Sequence, residues 1–344
     1  MAVSASSEVS AVGLNRLRMR RWWLVATIAL TVCPFVAAVG LAPAGSAPAG
    51  TALVWLLFVG SSVHVASSAW FYSLAEVRAH MRLHLTRYVR VPVGLVIGTA
   101  TLTSALSPNA TTWLLLAFFA WQFFHFQKQN LGIAALACAA GSAGRLTVWE
   151  RRALIGTGVG GIAALIGHPE LLQLHHIGVS LRALFVVGGC LFSISAAVGV
   201  TALIRRPVSG RPTAFTIIYL SSLLFFTPVW LFGSPYAAVA GLTIAHGLQY
   251  LLLIGLLAAA PTPGRPAALN LMILLNIALI LGLALNQASH LHGTSALGKA
   301  LFGAYLGIVM THFVIDAGLW RLRDNFPRTF LAQRLPYLLQ PASS

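Results

Sequence analysis

Apolar runs of roughly twenty residues recur from one end of the chain to the other, separated by short polar gaps. That length suits a helix crossing the hydrocarbon of a bilayer. The pattern places spans at 22–41, 51–76, 91–107, 112–140, 153–167, 182–203, 213–232, 236–260, 267–285 and 297–319. The short alternating segments of a transmembrane β-barrel do not occur. The expected fold is all-α, a polytopic transmembrane bundle of about ten helices. Residues 1–15 are rich in Ser and Ala and are expected to be disordered; 16–325 form the transmembrane domain. Residues 326–344 mix Phe, Leu and Tyr with Arg, as an interfacial cytoplasmic tail would.

Composition agrees with the pattern. Hydrophobic residues make up 58% of the 344 and charged residues 8%, against about a quarter charged in an ordinary soluble domain. So little charge cannot cover a globular surface in water, whereas lipid accepts apolar side chains directly.

The net charge of +16 would suggest a nucleic-acid partner if the basic residues formed one surface. They do not. Nineteen Lys and Arg fall in alternate gaps, from Arg16 to Arg21, Arg78 to Arg90, Arg145 to Arg152, Arg205 to Arg211, at Arg265 and from Arg321 to Arg334. The intervening gaps hold only Arg182 and Lys299, and Lys128 falls inside a helix. The positive-inside rule then puts both termini in the cytoplasm and makes the lipid bilayer, not nucleic acid, the partner. The first span follows an Arg-rich segment and precedes "LAPAGSAPAG", which faintly resembles a signal peptide; its length favours a retained anchor. Cys33, Cys138 and Cys190 all fall in spans, as small apolar residues rather than a disulfide framework.

Polar residues within the spans carry the candidate chemistry, because ionisable groups in hydrocarbon are costly and mark a site or a pairing. His64, His125, His246 and His312 lie in the second, fourth, eighth and tenth spans, all running from outside to inside. Similar depth along codirectional helices means similar height in the membrane, although His312 lies nearer the inner end of its span. Each has a polar follower one turn on, on the same face: Gln129 after His125, Gln249 and Tyr250 after His246, Asp316 after His312. His64 is followed by Ser68, and the same stripe reaches Tyr72 and Glu76. Such followers can orient an imidazole by accepting its other N–H, and Asp316 or Glu76 can equally supply a ligand oxygen. Three or four imidazoles with a carboxylate suit iron, zinc or copper, and no Cys accompanies them as an iron–sulfur centre would require. The plainer reading is that His, Gln and Asn fasten helices by hydrogen bonds. Lys128 calls for a carboxylate, Asp316 or Glu76, unless it snorkels to the interface. A second histidine group, His168, His175 and His176 with Glu170, and His290 with His292, falls in outer loops and reads as the polar rim of an interfacial helix. His80 and His84, among the arginines of the first basic loop, read as solvated or lipid-facing.

The blocks "WQFFHFQKQNLG", "AHGLQYL" and "HFVIDAGLWRLRD" resemble those of a group of bacterial polytopic His-rich membrane proteins. The likeness covers about a tenth of the chain, and the positions it carries are His125, Lys128, Gln129, His246, Gln249, His312, Asp316, Trp320 and Arg321. More faintly, the intramembrane histidines are similar to those of the Brp/Blh-type membrane β-carotene dioxygenases, His-rich iron enzymes. Here the histidine blocks continue with Lys-Gln or Ile-Asp instead of that family's acidic run, and the span count is higher. The resemblance implies a bacterial inner-membrane metal enzyme as a class and leaves its substrate open.

The expected function is a membrane-embedded, metal-dependent oxidoreductase, in its sharpest form a non-haem iron oxygenase acting on a lipophilic substrate. His64, His125, His246, His312 and Asp316 would hold the metal; Gln129, Gln249 and Glu76 would support them; Lys128 and Tyr250 would position substrate or move protons. Competing expectations are haem held by two of the histidines, a proton-coupled transporter using His64, Glu76, Lys128 and Asp316, and a scaffold whose polar residues only fasten helices.

Overall fold

The computed structural model describes residues 2–44, 47–174, 180–260, 265–292 and 295–339, with the side chains of 2–13 left out. His175 and His176 lie outside the described residues. Every regular element among the described residues is helical. The principal helices are α1 (Ala2–Leu41), α2 (Thr51–Ser73), α3 (Ala75–Leu83), α4 (Val91–Ala105), α5 (Pro108–Ala140), α6 (Val148–Gly167), α7 (Arg182–Ile204), α8 (Thr213–Leu223), α9 (Tyr236–Ala259), α10 (Ala267–Ser289), α11 (Ala296–Leu319) and α12 (Asn325–Arg334). The segment 1–15, expected to be disordered, falls mostly where side chains are not described; the backbone of α1 runs through it from Ala2.

Six helices are long and apolar enough to cross a membrane: Leu14–Leu41 of α1, then α2, α7, α9, α10 and α11. This fits a multi-pass membrane protein. The other four expected spans are helical but shorter or more polar. Helix α4 has 15 residues. Helix α5 has 33, but the polar run from Gln122 to Asn130 interrupts its apolar sequence. Helix α6 opens on Glu150, Arg151 and Arg152. The span expected at 213–232 breaks after Leu223, because the ring of Pro228 cannot share a helix with the carbonyl of Leu224.

The six sort into two layers. Only 28%, 22% and 28% of the apolar windows of α1, α7 and α10 are buried, against 56%, 61% and 56% for α2, α9 and α11. Outward-facing Val25, Val36, Val186, Ile194, Leu275 and Ile280 are all more than half exposed, a surface that water would penalise and lipid would not. The three inner helices are the ones that carry His64, His246 and His312. Around them α1 packs on α9, α4 on α11 and α6 on α7, while α10 covers the His64 turn of α2.

Polar locks gather the inter-helix segments. Thr147 and Glu150 cap α6 reciprocally, Thr147 N donating to Glu150 Oε2 at 2.7 Å and Glu150 N to Thr147 Oγ1 at 3.2 Å. Arg206 grips both oxygens of Glu150, at 2.5 and 2.7 Å, and donates to the carbonyls of Ala143 and Arg145, each at 2.7 Å. Burial pushes the Glu150 carboxyl up, but the Arg206 guanidinium and the Thr147 N–H outweigh it and hold it below the usual carboxylate range. The tail is folded onto the bundle: Phe330, Leu331, Leu335 and Leu338 are buried with Trp23, Trp70 and Phe71. Arg334 pairs with Glu76, and Arg20 donates to the Tyr337 carbonyl. The three cysteines are free.

Candidate metal centre

The path to the site begins at two glycines. Gly60 of α2 lies against the backbone of α9: a Cβ there would stand 2.7 Å from Ile244 Cα, and one on Gly247 would run into the Gly60 carbonyl. Absence of both side chains lets the two backbones touch. Gly60 falls in a π-helical turn, Val59–Val63, which ends immediately before His64. Such wider turns re-aim the residues that follow and recur at functional sites. His64 and His246, next to Gly247, consequently meet with ring centres 4.9 Å apart.

The other two histidines close a ring. His246 lies 5.0 Å from His125, His125 lies 5.1 Å from His312, and His312 lies 5.1 Å from His64. Each successive pair meets edge to face. His64, His246 and His312 are 3%, 1% and 1% exposed. Seven of their ring nitrogens are buried without a hydrogen-bond partner among the described residues: both nitrogens of His64, His246 and His312, and Nε2 of His125. A purely structural histidine satisfies its nitrogens when buried. Here the unpartnered nitrogens are concentrated at one place.

The side chains form two overlapping triads, sharing His312, that could hold an ion. An imidazole nitrogen about 2.1 Å from a metal puts its ring centre about 3.2 Å from it, and four such rings stand roughly 5 Å apart. Ligand atoms of His64, His246 and His312 lie within 4.8 Å of one another, and so do those of His125, His312 and Asp316. Asp316 Oδ2 is 3.6 Å from His312 Nε2 and 3.8 Å from His125 Nε2. Those separations exceed a hydrogen bond but approach the spacing of two donors on one ion, about 3.0 to 3.4 Å. The other carboxylate oxygen, Oδ1, accepts from the Tyr250 hydroxyl at 3.0 Å. Tyr250 lies 5.1 Å from His312 and 6.0 Å from Trp320, centre to centre.

Comparison with protein families, curated proteins and solved structures finds no match. The functional reading therefore stands on this geometry, and the resemblances rest on the quoted blocks alone.

The cluster gathers His64, His125, His246, His312, Asp316 and Tyr250. Gln129 and Gln249 are adjacent but do something other than orient a ring. Gln129 Nε2 donates to the His246 carbonyl at 2.8 Å and to Gln249 Oε1 at 3.1 Å, and Gln249 Nε2 donates to Thr31 Oγ1 at 2.6 Å. They tie the backbone at His246 to α5 and α1.

Two expected members lie apart. Glu76 sits in α3, beyond the end of α2, and pairs with Arg334. The stripe leading to it fails because Ser68–Ser73 winds as a 3₁₀ helix, which loses the four-residue register, and Leu74 is extended. Lys128 is on the exposed face of α5 and pairs with neither Asp316 nor Glu76. After α6, His168 meets Glu170 at 3.2 Å, with both side chains well exposed. His80 is not simply solvated: it stacks on Phe326 at 4.1 Å.

Sequence reasoning missed two aromatic residues. Phe126 stacks on His246 at 3.9 Å, and Phe313 stacks on His125 at 4.5 Å. Each follows a cluster histidine in sequence and packs on a different one. The repeated His-Phe dipeptide was the available signal.

Proposed function

We propose that the protein is a membrane-embedded, metal-dependent oxidoreductase with a non-haem iron centre, acting on a lipophilic substrate. The observation that carries this reading is the closed ring of four buried imidazoles, rich in unpartnered nitrogens, beside Asp316. Imidazoles with a carboxylate form a ligand set suited to iron and to other borderline divalent metals. When bound, such an ion supplies one-electron redox chemistry. The chain's own residues do the rest. Imidazole nitrogens of the four histidines hold the ion, and Asp316 Oδ2 neutralises charge next to it. Tyr250 keeps its proton on the hydroxyl, donated to Asp316 Oδ1, one ring away from His312. Phe126 and Phe313 fix two imidazoles by stacking.

The same reading places the helices as ten spans with both termini in the cytoplasm of a bacterial inner membrane, following the alternation of basic gaps. Haem fits less well, since rings about 5 Å apart, edge to face, leave no slot for a macrocycle. The transporter path loses Glu76 to Arg334 and Lys128 to the outer face.

Metal analysis of full-length protein purified in detergent tests the proposal. The expected content is about one transition-metal ion per chain, with iron dominant. His312→Ala should lose most of it while circular dichroism stays helical. Well-folded wild-type protein without metal, after reconstitution with ferrous iron, ends the reading.

A further inference from the structure

The histidine ring has two unlike sides. Asp316 and Tyr250 occupy one. One to two helical turns earlier along α2, α5 and α11 the neighbours change: Ser61 and Ser62 come before His64, Gln122 before His125, and Val309 and, a turn further, Tyr305 before His312. These residues, with Val65, Phe126 and Phe313, line a small cavity that reaches His64 itself. It is about the size of one water molecule. Its wall mixes apolar side chains with polar ones, Ser61, Ser62, Gln122 and Tyr305 besides His64. That wall is also unsaturated: Gln122 Oε1 is buried and has no partner among the described residues, and neither ring nitrogen of His64 has one. An apolar void stays empty, but a polar one with unmet hydrogen-bonding capacity is built for a guest.

We propose that this cavity is a chamber for a small exogenous ligand of the metal, a hydrogen-bonding species no larger than water held between the ion and the Gln122 amide. The inference rests on the metal reading above and adds which side of the centre is open. Charge and the phenolic proton lie on the Asp316 side. The open coordination position lies on the Gln122 side, beside His64. The cavity is far too small for a lipid chain, so it serves the small co-reactant and not the lipophilic substrate.

Fluoride, a single-atom anion that binds ferric iron and accepts hydrogen bonds, is a suitable probe for the full-length, iron-loaded, oxidised protein in detergent, followed by the change in its iron absorption. Gln122→Leu nearly conserves volume and removes the amide. It should retain iron and bind fluoride about tenfold more weakly, the loss of one hydrogen bond donated by Gln122 Nε2. Val309→Met, which fills the chamber without touching its polar wall, should also retain iron and weaken fluoride at least as much. Iron-replete variants that bind fluoride as the wild type does would overturn the chamber and leave the metal reading standing. Loss of iron from Gln122→Leu would overturn it as well, by making Gln122 part of the ion's own support. Wild-type protein that takes up no iron removes both proposals together.

Discussion

At the scale of single residues, the site depends on side chains that have given up ordinary partners. Buried imidazole nitrogens usually find an acceptor or a donor, yet seven in this cluster have none among the described residues. Asp316 shows the opposite economy: one oxygen is satisfied by Tyr250 and the other faces two histidines. Removing the phenol should therefore be felt. Tyr250→Phe leaves Asp316 Oδ1 buried without that donor and is expected to cost about 1–3 kcal/mol. The measurement is a thermal melt in detergent, with Tyr250→Phe unfolding several degrees below the wild type. An unchanged melting temperature would mean that the carboxylate does not depend on Tyr250. The histidines and Asp316 were legible from sequence because hydrocarbon makes each of them costly. Phe126 and Phe313 carry no such cost in an apolar helix, and only their place directly after a histidine marks them.

At the scale of elements, the decisive feature is how closely two helices approach. Helices α2 and α9 touch through Gly60 and Gly247, one on the π turn and the other beside His246. A branched side chain at this contact should separate them without melting either. Gly247→Val is expected to destabilise the protein by about 1–3 kcal/mol through overpacking. It should also lower metal retention substantially while helical circular dichroism persists. Wild-type metal retention in Gly247→Val would show that the approach of these helices does not set the ring. The same scale explains Glu76. A four-residue stripe is a reliable guide only while the helix stays α, and α2 changes to a 3₁₀ turn at Ser68. Lys128 shows the complementary point. It is one position from Gln129, and a step of one residue rotates a side chain about a quarter-turn round the helix, here onto the exposed face.

At the scale of the whole molecule, the exposed faces of α1, α7 and α10 are apolar, whereas α2, α9 and α11 are enclosed. The basic residues lie in alternate gaps, nineteen against two. If that alternation sets topology, a reporter fused after Ser344 should stay active only in the cytoplasm, and one inserted at Pro108 only on the opposite side. Both reporters on one side would refute the ten-span arrangement. What the sequence by itself determined was the solvent: apolar runs and scarce charge demand lipid, whatever the packing. It also determined the chemistry on offer, four histidines and a carboxylate in apolar helices. Only the tertiary structure decided that the four rings meet, that Asp316 joins them, and that Glu76 and Lys128 do not. The physical reason is that hydropathy is summed along one segment, whereas coordination depends on rotation and distance between segments. Those are set by small residues, π and 3₁₀ turns and close packing, which leave little trace in the order of polar and apolar positions.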